Sequence, residues 1–548
     1  MYESEDAMKT VDYYGDFSIT SVERSDFTPS NERCNLLLGL PCKIKNFENI
    51  SDQHKTDWFN SPVSEKGLTD GLYASVATCH DPAFFRFTAG MARSILFDLG
   101  GICSADSVRI GALKEDSTGV RLPVRISVLV SENGEGWETV CELTGFDSKN
   151  PEDVIRLEKS FGKSVRARYV KFNFAVVTHI FIDEIELFGC KNALGAPVAP
   201  DKCGDSEYPD KYASTEQLGA KDVLLAYFCH KNLAPITTDI FLPHVAYMEG
   251  DEIKDTLFDS YLFLPYVAYL YEGYKKRPLK KEDWQYYIDQ QYSEGVNMDA
   301  LEEAAAIVGE KLGIPDFKVS VFLSILYPVS EVSEFGEIDG RNLNFSDVED
   351  RKAALKWLID EQYEGFKKKN YKHITLNGFY WFTEEISYGD TQLIEMLRYT
   401  TDYVRSLGLI TTWIPYYHAS GFNDWRNLGF DVVCYQPNYA FNQGVPDIRL
   451  FDAASTAKLL GMCIELEIGG TQDWHIERIK KYYAAGALTG YMKDAAHMYY
   501  QGGVPGEYYK AYKSDDPLLH SVYTDTYKFI KGTFDPSNVK FDIPEDNK

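Results

Sequence analysis

The sequence predicts a multidomain chain, with an N-terminal β-sandwich followed by a C-terminal (β/α)8 TIM barrel. Three observations predict it. The 548 residues are too many for one ordinary domain, the first part alternates short strands with turn residues, and the second part alternates strands with helices. We divide the chain into an N-terminal arm (1–30), the sandwich (31–190), a linker (191–219), the barrel (220–535) and a C-terminal tail (536–548).

The sandwich is predicted from short segments in which apolar and polar residues alternate. Helical periodicity is almost absent between 31 and 190, and closely spaced strands of this kind are typical of a β-sandwich. The predicted strands are SILFDLG, DSVRIGAL, VRISVLVS, ARYVKFNF and IDEIELFG, with a hairpin turn at NGEGW (Asn133 to Trp137).

The barrel is predicted from strand-like runs that alternate with helical patterns over about 310 residues, the signature of a (β/α)8 fold. An open doubly wound sheet would need a Gly-rich phosphate loop after its first strand, and YFCHKNLAP is not one. The predicted strands are DVLLAYFCH (222–230), FDSYLFLPYV (258–267), FKVSVFLSILYP (317–328), HITLNGFYWF (373–382), LITTWIPYYH (409–418), FDVVCYQPNY (430–439), MCIELEIGG (462–470) and ALTGYMKDA (487–495).

Charge and composition narrow the classes of partner. Lys and Arg number 56 and Asp and Glu number 83, and a net charge of −27 repels phosphate backbones and anionic lipid. The sequence has no apolar run of about 18 residues, so we expect neither nucleic acid binding nor membrane insertion. Aromatic residues make up 14%, including 38 Tyr, and such rings match the apolar faces of sugars. We therefore expect an oligo- or polysaccharide partner.

The first residues, MYESEDAMKTVDYYGDF, lack the basic and apolar regions of a secretory signal. Location therefore stays open between the cytoplasm and secretion with the signal removed. The ten Cys are scattered without a CxxC pair, so we expect most of them to be reduced core residues.

The seventh predicted barrel strand, MCIELEIGG, carries two acids where an enzyme of this fold keeps its chemistry, near the C-terminal end of a strand. Its apolar residues alternate with Glu465 and Glu467, so both carboxylates are predicted to face the barrel interior. A carboxylate is costly there unless it is paired, solvated or functional. We expect at least one of the two to be functional.

The fourth strand ends in GFYWFTEE and delivers Glu384 and Glu385 to the same end of the barrel. Strict alternation from Thr375 and Asn377 favours Glu385 as the inward acid. Alternation lapses if the chain leaves strand geometry after Trp381, and a pair of solvated loop acids is the structural alternative.

The other strand ends carry aromatic, amide, imidazole and amine groups of the kind that line a sugar cleft. Those predicted to contact substrate are Tyr227, His230, Trp381, Trp413, Tyr416, His418, Tyr435, Gln436, Asn438 and Lys493. The sequence contains no HExxH motif, EF-hand loop or Cys/His cluster, so it indicates no catalytic metal and no cofactor required for catalysis.

Two resemblances to known families are specific. Residues 31–190 resemble a discoidin-type, galactose-binding-like jelly roll through LTDG (68–71), VLVSENGEGWETV, ARYVKFNF and IDEIELFG. Members of that family often bind sugars and often carry a structural calcium, and the resemblance assigns no ligand residues here. Residues 220–535 resemble the bacterial domain-of-unknown-function family 4855 through the barrel order, GFYWFTEE (378–385) and the ELE of strand 7. Its spacing points to Glu384 rather than Glu385.

An acid after strand 4 and an acid on strand 7 are the layout of the large clan of retaining barrel glycosidases, a fold-level analogy. The leading expectation is therefore a glycoside hydrolase with Glu384 as acid/base and Glu467, or Glu465, as nucleophile. The alternative is a non-catalytic glycan-binding protein with a degenerate barrel, and a polysaccharide lyase with a Tyr or His base is a third possibility.

Overall fold

The structure, a computed structural model, describes residues 27–46, 67–88, 92–123, 125–134, 137–144, 146, 148–176, 179–193, 209, 211–229, 234–265, 279–386, 390, 392–417, 419, 421–422 and 425–542. These residues divide into two units, 27–209 and 211–542. Most of the predicted arm (1–30) and linker (191–219), and the end of the tail (536–548), lie outside the described residues.

The first unit is an antiparallel β-sandwich. Its hydrogen-bonded strands lie side by side in the order β1-β8-β4-β7-β5-β6, and β2 pairs with β4 and β3 with β8. The predicted fold class is confirmed. Its strands are β1 (Arg33–Asn35), β2 (Lys43–Asn46), β3 (Phe85–Thr88), β4 (Ala92–Glu115), β5 (Arg125–Ser131), β6 (Glu138–Thr144), β7 (Glu152–Ala175) and β8 (His179–Cys190).

The segments SILFDLG and DSVRIGAL form one long strand, β4, rather than two. Its pairing with β7 shifts in register between Asp98 and Cys103, so the strand bends there without ending. On either side of the bend the same strand buries apolar residues, among them Ile95 and Val108, in a single core. The turn residues of this segment therefore mark a bulge within a strand.

The second unit is a closed barrel of parallel strands, and this part of the fold prediction is also confirmed. Around the barrel each strand pairs with the next, and the last pairs with the first. The strands are β9 (Asp222–Phe228), β12 (Ser260–Pro265), β13 (Val319–Ile325), β16 (Ile374–Trp381), β17 (Ile410–Trp413), β18 (Val432–Tyr435), β19 (Cys463–Glu467) and β20 (His497–Tyr500).

Amphipathic helices surround the barrel, and two short hairpins extend from it. The helices are α1 (Thr215–Leu218), α2 (Thr238–Val245), α3 (Lys281–Gln291), α4 (Met298–Leu312), α5 (Val348–Lys369), α6 (Leu393–Ser406), α7 (Trp425–Leu428), α8 (Ile448–Leu460), α9 (Asp473–Thr489), α10 (Tyr491–Asp494), α11 (Glu507–Lys513) and α12 (Pro517–Ile530). The hairpins are β10 (Ala246–Glu249) with β11 (Glu252–Thr256), and β14 (Glu337–Ile338) with β15 (Arg341–Asn342).

Local sequence accounts for the helix ends. The side chain of Asp347 accepts a hydrogen bond from the N–H of Glu349 at the start of α5, and three lysines occupy its last turn. In α9 the buried positions Ile476, Ile479 and Tyr483 recur at helical spacing and pack toward the barrel side.

The eighth barrel strand is not where the sequence predicted it. Residues 487–495 end α9 and form α10, and the strand is the four-residue segment His497–Tyr500. Gly490 has a left-handed φ of 93° and ends α9. A four-residue strand is too short for its alternation to be recognised in the sequence.

The barrel unit begins at Lys211, nine residues before the predicted boundary. Within the range assigned to the linker, α1 covers 215–218, and the N–H of Ala213 donates to the carbonyl of Met462 at 3.0 Å. Ala213 and Leu218 are buried in the interior cluster of the barrel, so this segment closes its lower end.

Candidate active site

The two acids predicted on the seventh barrel strand lie on its inner face. Cys463, at the start of β19, packs in the interior cluster with Cys434 and Met498, and alternation then places Glu465 and Glu467 on the same face. Glu465 is 2% exposed and Glu467 0%. Burial raises the pKa of both carboxyls.

A β-bulge on the fourth strand decides which of its acids turns inward. The pairing of β16 with β13 shifts by one residue between Val321 and Phe322, which leaves Asn377 as the additional residue before Gly378. Up to the bulge the odd-numbered residues face the interior. Beyond it the even-numbered residues do.

Glu384 therefore follows Tyr380 and Phe382, which belong to or pack against the interior cluster. Glu385 turns to the rim, where its Oε2 accepts a hydrogen bond from the Tyr416 hydroxyl at 2.8 Å. The expectation from strict alternation, which favoured Glu385, is wrong because a bulge reverses the alternation. The family spacing and the geometry agree on Glu384.

Glu384 is exposed at the mouth of the barrel, yet protein atoms replace much of the water around its carboxyl. This desolvation, together with the nearby charges of Glu467 and Glu385, raises the pKa of Glu384 to about 7. A carboxyl with that pKa is protonated in a substantial fraction of molecules at neutral pH and is accessible to a ligand. It therefore has the properties of a general acid.

Glu467 has hydrogen-bond donors on both oxygens. The side-chain amide of Gln436 donates to Oε1 at 3.0 Å, the backbone N–H of Tyr439 donates to Oε2 at 3.3 Å, and the Tyr482 hydroxyl donates to Oε2. Hydrogen bonds from Tyr482, Gln436 and the backbone of Tyr439 and Asn438 oppose the effect of burial on the pKa of Glu467. Among the acids of the cluster, Glu467 is the one whose negative charge is stabilised by donors.

Glu465 lies one step deeper on the same strand face. Burial and the charges of Glu467 and Glu384 raise its pKa well above the usual value. The neutral form of Glu465 is therefore favoured.

Tyrosine side chains surround the acids. The pKa of Tyr227 is raised by burial, by Tyr500 and by all three acids, which places it beside Glu465, Glu384 and Glu467. The Tyr227 and Tyr500 rings meet edge to face with centroids 5.7 Å apart. The prediction that Tyr227 contacts substrate stays a prediction.

Three of the predicted cleft aromatics point away from the barrel interior. Trp381 is paired with Trp413 in register, Trp413 stacks on Phe430 at 5.1 Å, and the Tyr435 hydroxyl donates to the carbonyl of Tyr417. On these strands the interior is occupied by the residues adjacent to them in sequence. The prediction that Trp381, Trp413 and Tyr435 line the cleft is therefore wrong.

The predicted amide residues hold an acid. Gln436 donates to Glu467, and Asn438, with a left-handed φ of 49°, directs its own backbone N–H to the same carboxyl. Tyr416 is half-buried and holds Glu385. These residues support the acids directly, and Gln436 and Tyr416 keep part of their surface free for a ligand.

The remaining predicted substrate residues do not join this group. Lys493 lies on α10, exposed, before the start of β20 and therefore at the opposite end of the barrel from the acids. Its assignment followed from the wrong position of the eighth strand. His230 and His418 lie outside the described residues.

Sequence reasoning missed Tyr380, Tyr482 and Tyr500. A signal for Tyr380 existed in Gly378, because a glycine inside a strand often marks a bulge. A Cβ at Gly378 would lie 2.1 Å from the Ile410 carbonyl oxygen. Tyr482 is on a helix, and no pattern in the sequence connects a helix residue with an acid inside the barrel.

The described parts of the chain contain no group of three or more His, Cys, Asp or Glu side chains that could hold a metal ion. In the same residues, no helix is both long and apolar enough to cross a lipid bilayer. The described cysteines Cys34, Cys79, Cys103, Cys141, Cys190, Cys229, Cys434 and Cys463 carry free thiols.

The calcium implied for the sandwich can be tested against its LTDG loop. Glu184 is 1% exposed, and the N–H of Gly71 lies 3.1 and 3.2 Å from its two oxygens. Burial and the charges of Asp70, Glu186 and Asp183 raise the pKa of Glu184 to about 8. Calcium takes about six to eight oxygen ligands, whereas both oxygens of Glu184 already face the Gly71 N–H, and the described residues bring together no three acidic or imidazole side chains for a metal ion. The described residues of this loop therefore do not provide a calcium site.

Three solved structures to which this chain is similar each align with less than a third of it. The module CpGH89CBM32-6 of Clostridium perfringens is 18% identical and covers 28% of this chain and 99% of its own, with a TM-score of 0.19. A chitosan-binding module from a Paenibacillus chitosanase/glucanase, solved with chitotriose, is 16% identical over 28% of this chain and 100% of its own, with a TM-score of 0.19. A Ruminococcus gnavus GH29 fucosidase, solved with fucose, is 17% identical over 30% of this chain and 28% of its own, also with a TM-score of 0.19.

The search of curated proteins returned no match. A family model does match residues 222–528, which is more than half of the chain. This range includes every strand of the barrel and ends within α12. This protein belongs to the family described as Domain of unknown function (DUF4855).

Proposed function

We propose that this protein is a glycoside hydrolase in which Glu384 acts as general acid/base and Glu467 as nucleophile. The observation that carries the proposal is the contrast between two acids at one end of one barrel. Glu384 is accessible, and its pKa is raised to about 7. Burial also raises the pKa of Glu467, but hydrogen-bond donors on both of its oxygens oppose that effect and stabilise the ionised form. Glycoside hydrolysis requires one protonated and one ionised carboxyl.

The chemistry proceeds in two steps. In the first, the Glu384 carboxyl protonates the leaving oxygen while a Glu467 oxygen bonds to the anomeric carbon, and the glycosidic bond breaks. In the second, Glu384 takes a proton from water, the water oxygen bonds to the anomeric carbon, and the bond to Glu467 breaks. Both carboxyls return to their initial states.

The burial of Glu467 sets a condition for this mechanism. At 0% exposure its Oε1 is covered by the Gln436 amide, so the amide has to turn toward a sugar hydroxyl when substrate enters. Gln436 is half-buried and has room on its exposed side. The same burial favours a second candidate function, a glycan-binding protein whose barrel is not catalytic.

The experiment that tests the proposal incubates the full-length protein with a panel of oligo- and polysaccharides and detects new reducing ends. Glu467→Gln and Glu384→Gln each replace an acid by an amide of nearly equal volume, and Glu385→Gln is the matched control. We expect Glu467→Gln to lose turnover and Glu385→Gln to keep it. Glycan binding without product from the wild-type protein would support the non-catalytic candidate instead.

A further inference from the structure

A tyrosine from the helix layer reaches the proposed nucleophile from behind. Tyr482 lies on α9, is 0% exposed, and donates its hydroxyl hydrogen to Oε2 of Glu467. The same hydroxyl oxygen accepts the N–H of Tyr439 at 3.3 Å. Because that N–H also points to Oε2 of Glu467, the hydroxyl, the amide and the carboxylate form one closed group.

The two oxygens of Glu467 are held in different ways. Oε2 receives donors from Tyr482 and from the backbone of Tyr439, which are both fully buried. Oε1 receives the side-chain amide of Gln436, which is half-buried. A substrate can displace a partly exposed amide more readily than a buried hydroxyl. Oε1 is therefore the oxygen available for reaction, and Oε2 is the anchored one.

The segment that carries the Tyr439 N–H is hydrogen-bonded to α9, the helix on which Tyr482 lies. Arg478, one turn before Tyr482 on α9, donates to the carbonyls of Tyr439, Gln443 and Val445. Its guanidinium also lies over the Tyr439 ring, 3.9 Å from the centroid. Helix α9 and the loop after β18 thus form a single support that presents donors to one carboxylate oxygen.

We propose that Tyr482 is the positioning residue of Glu467, which fixes Oε2 and stabilises its negative charge so that Oε1 is directed to the cleft. The proposal rests on the function proposed above. Among the described residues, the titratable side chains that act on Glu467 are Glu465 on its own strand, Glu384 from the segment after β16, Tyr227 from β9 and Tyr482 from α9.

The test compares Tyr482→Phe with Tyr483→Phe. Both residues are fully buried on α9 and both lose one hydroxyl, but Tyr483 bonds to Thr526 Oγ1 at 2.6 Å, away from the acids. A hydrogen bond to a charged group contributes more than one to a neutral group, so we expect Tyr482→Phe to lower kcat roughly 10- to 100-fold with little change in KM. The acidic limb of the pH–rate profile should move to higher pH, because the nucleophile becomes harder to ionise. Tyr483→Phe should leave both unchanged.

A second measurement needs no substrate. Tyr482 stabilises the ionised carboxylate, so its loss should lower thermal stability at pH values above the pKa of Glu467 in the folded protein and have little effect at pH values below that pKa. The deficit of Tyr482→Phe relative to Tyr483→Phe should therefore grow as pH rises. If Tyr482→Phe folds only at acidic pH, that result also shows a loss of stability that grows with pH, and it supports the proposal.

The outcomes separate this proposal from the proposed function. Wild-type kcat and an unmoved acidic limb in Tyr482→Phe, in a protein that Glu467→Gln inactivates, overturn the positioning role and leave the glycosidase intact. A pH-independent stability deficit equal to that of Tyr483→Phe also overturns it. Full turnover by Glu467→Gln overturns the proposed function itself, and the positioning role with it.

Discussion

The side-chain amide of Gln436 donates a 3.0 Å hydrogen bond to Oε1 of Glu467 and so occupies the oxygen that the proposed mechanism uses as nucleophile. One contact thus has two effects that oppose each other in catalysis. It favours the ionised nucleophile, and it hides the nucleophile from substrate. The balance between these effects can be measured.

Replacement of Gln436 should show which effect dominates. Gln436→Leu removes the donor at similar volume, so we expect kcat/KM to fall by about 10-fold and its acidic limb to move to higher pH. The measurement is a pH–rate profile on the glycan that the wild-type protein cleaves. Gln472→Leu, at an exposed glutamine bonded to Trp474, is the matched control. An increase in kcat/KM would mean that the amide acts mainly as a cover.

The raised pKa of Glu384 predicts a basic limb. A general acid is active while protonated, so kcat/KM should fall as pH rises through about 7. Glu384→Gln should remove this limb and lower activity most on substrates with poor leaving groups, since only these require protonation. The measurement compares aryl glycosides of different leaving-group pKa across pH. A basic limb that persists in Glu384→Gln would assign the acid to another residue.

Gly378 at the bulge should tolerate no side chain. In Gly378→Ala the added Cβ would lie 2.1 Å from the Ile410 carbonyl oxygen, and because that atom is backbone the strands must separate. We expect a loss of about 2–3 kcal/mol in the free energy of unfolding, measured with denaturant. Gly444→Ala, where the nearest atom would be 3.3 Å away on a side chain, is the control and should be near neutral.

This bulge also marks the limit of what the sequence could predict. Periodicity identified both fold classes, because strand and helix patterns repeat over many residues. The inward pair on β19 was predictable, because that short strand keeps its alternation from Cys463 to Glu467. One additional residue at Asn377 reversed the alternation of β16, and one residue is below the resolution of a pattern.

The error at the aromatic residues has a related cause. Trp381 and Trp413 were assigned to the cleft by their chemistry and by their position at strand ends, without the face of the strand. In a barrel both faces of a strand are buried, so large aromatic residues occur on either side. Tyr482 could not be predicted for a different reason: its contact with Glu467 exists only after α9 packs on the barrel.

The stereochemistry of the product tests the role of Glu467 most directly. An inverting enzyme holds its two carboxyls about 6.5–9.5 Å apart to leave room for water, and a retaining enzyme holds them about 5–5.5 Å apart. Glu467 is anchored at Oε2 by Tyr482, which leaves Oε1 to act as nucleophile, and the charge of Glu467 acts on Glu384. We therefore expect retention, seen by proton NMR as first-formed product with the anomeric configuration of the substrate. A product of opposite configuration would make Glu467 a general base and would require Gln436 to admit water rather than the sugar.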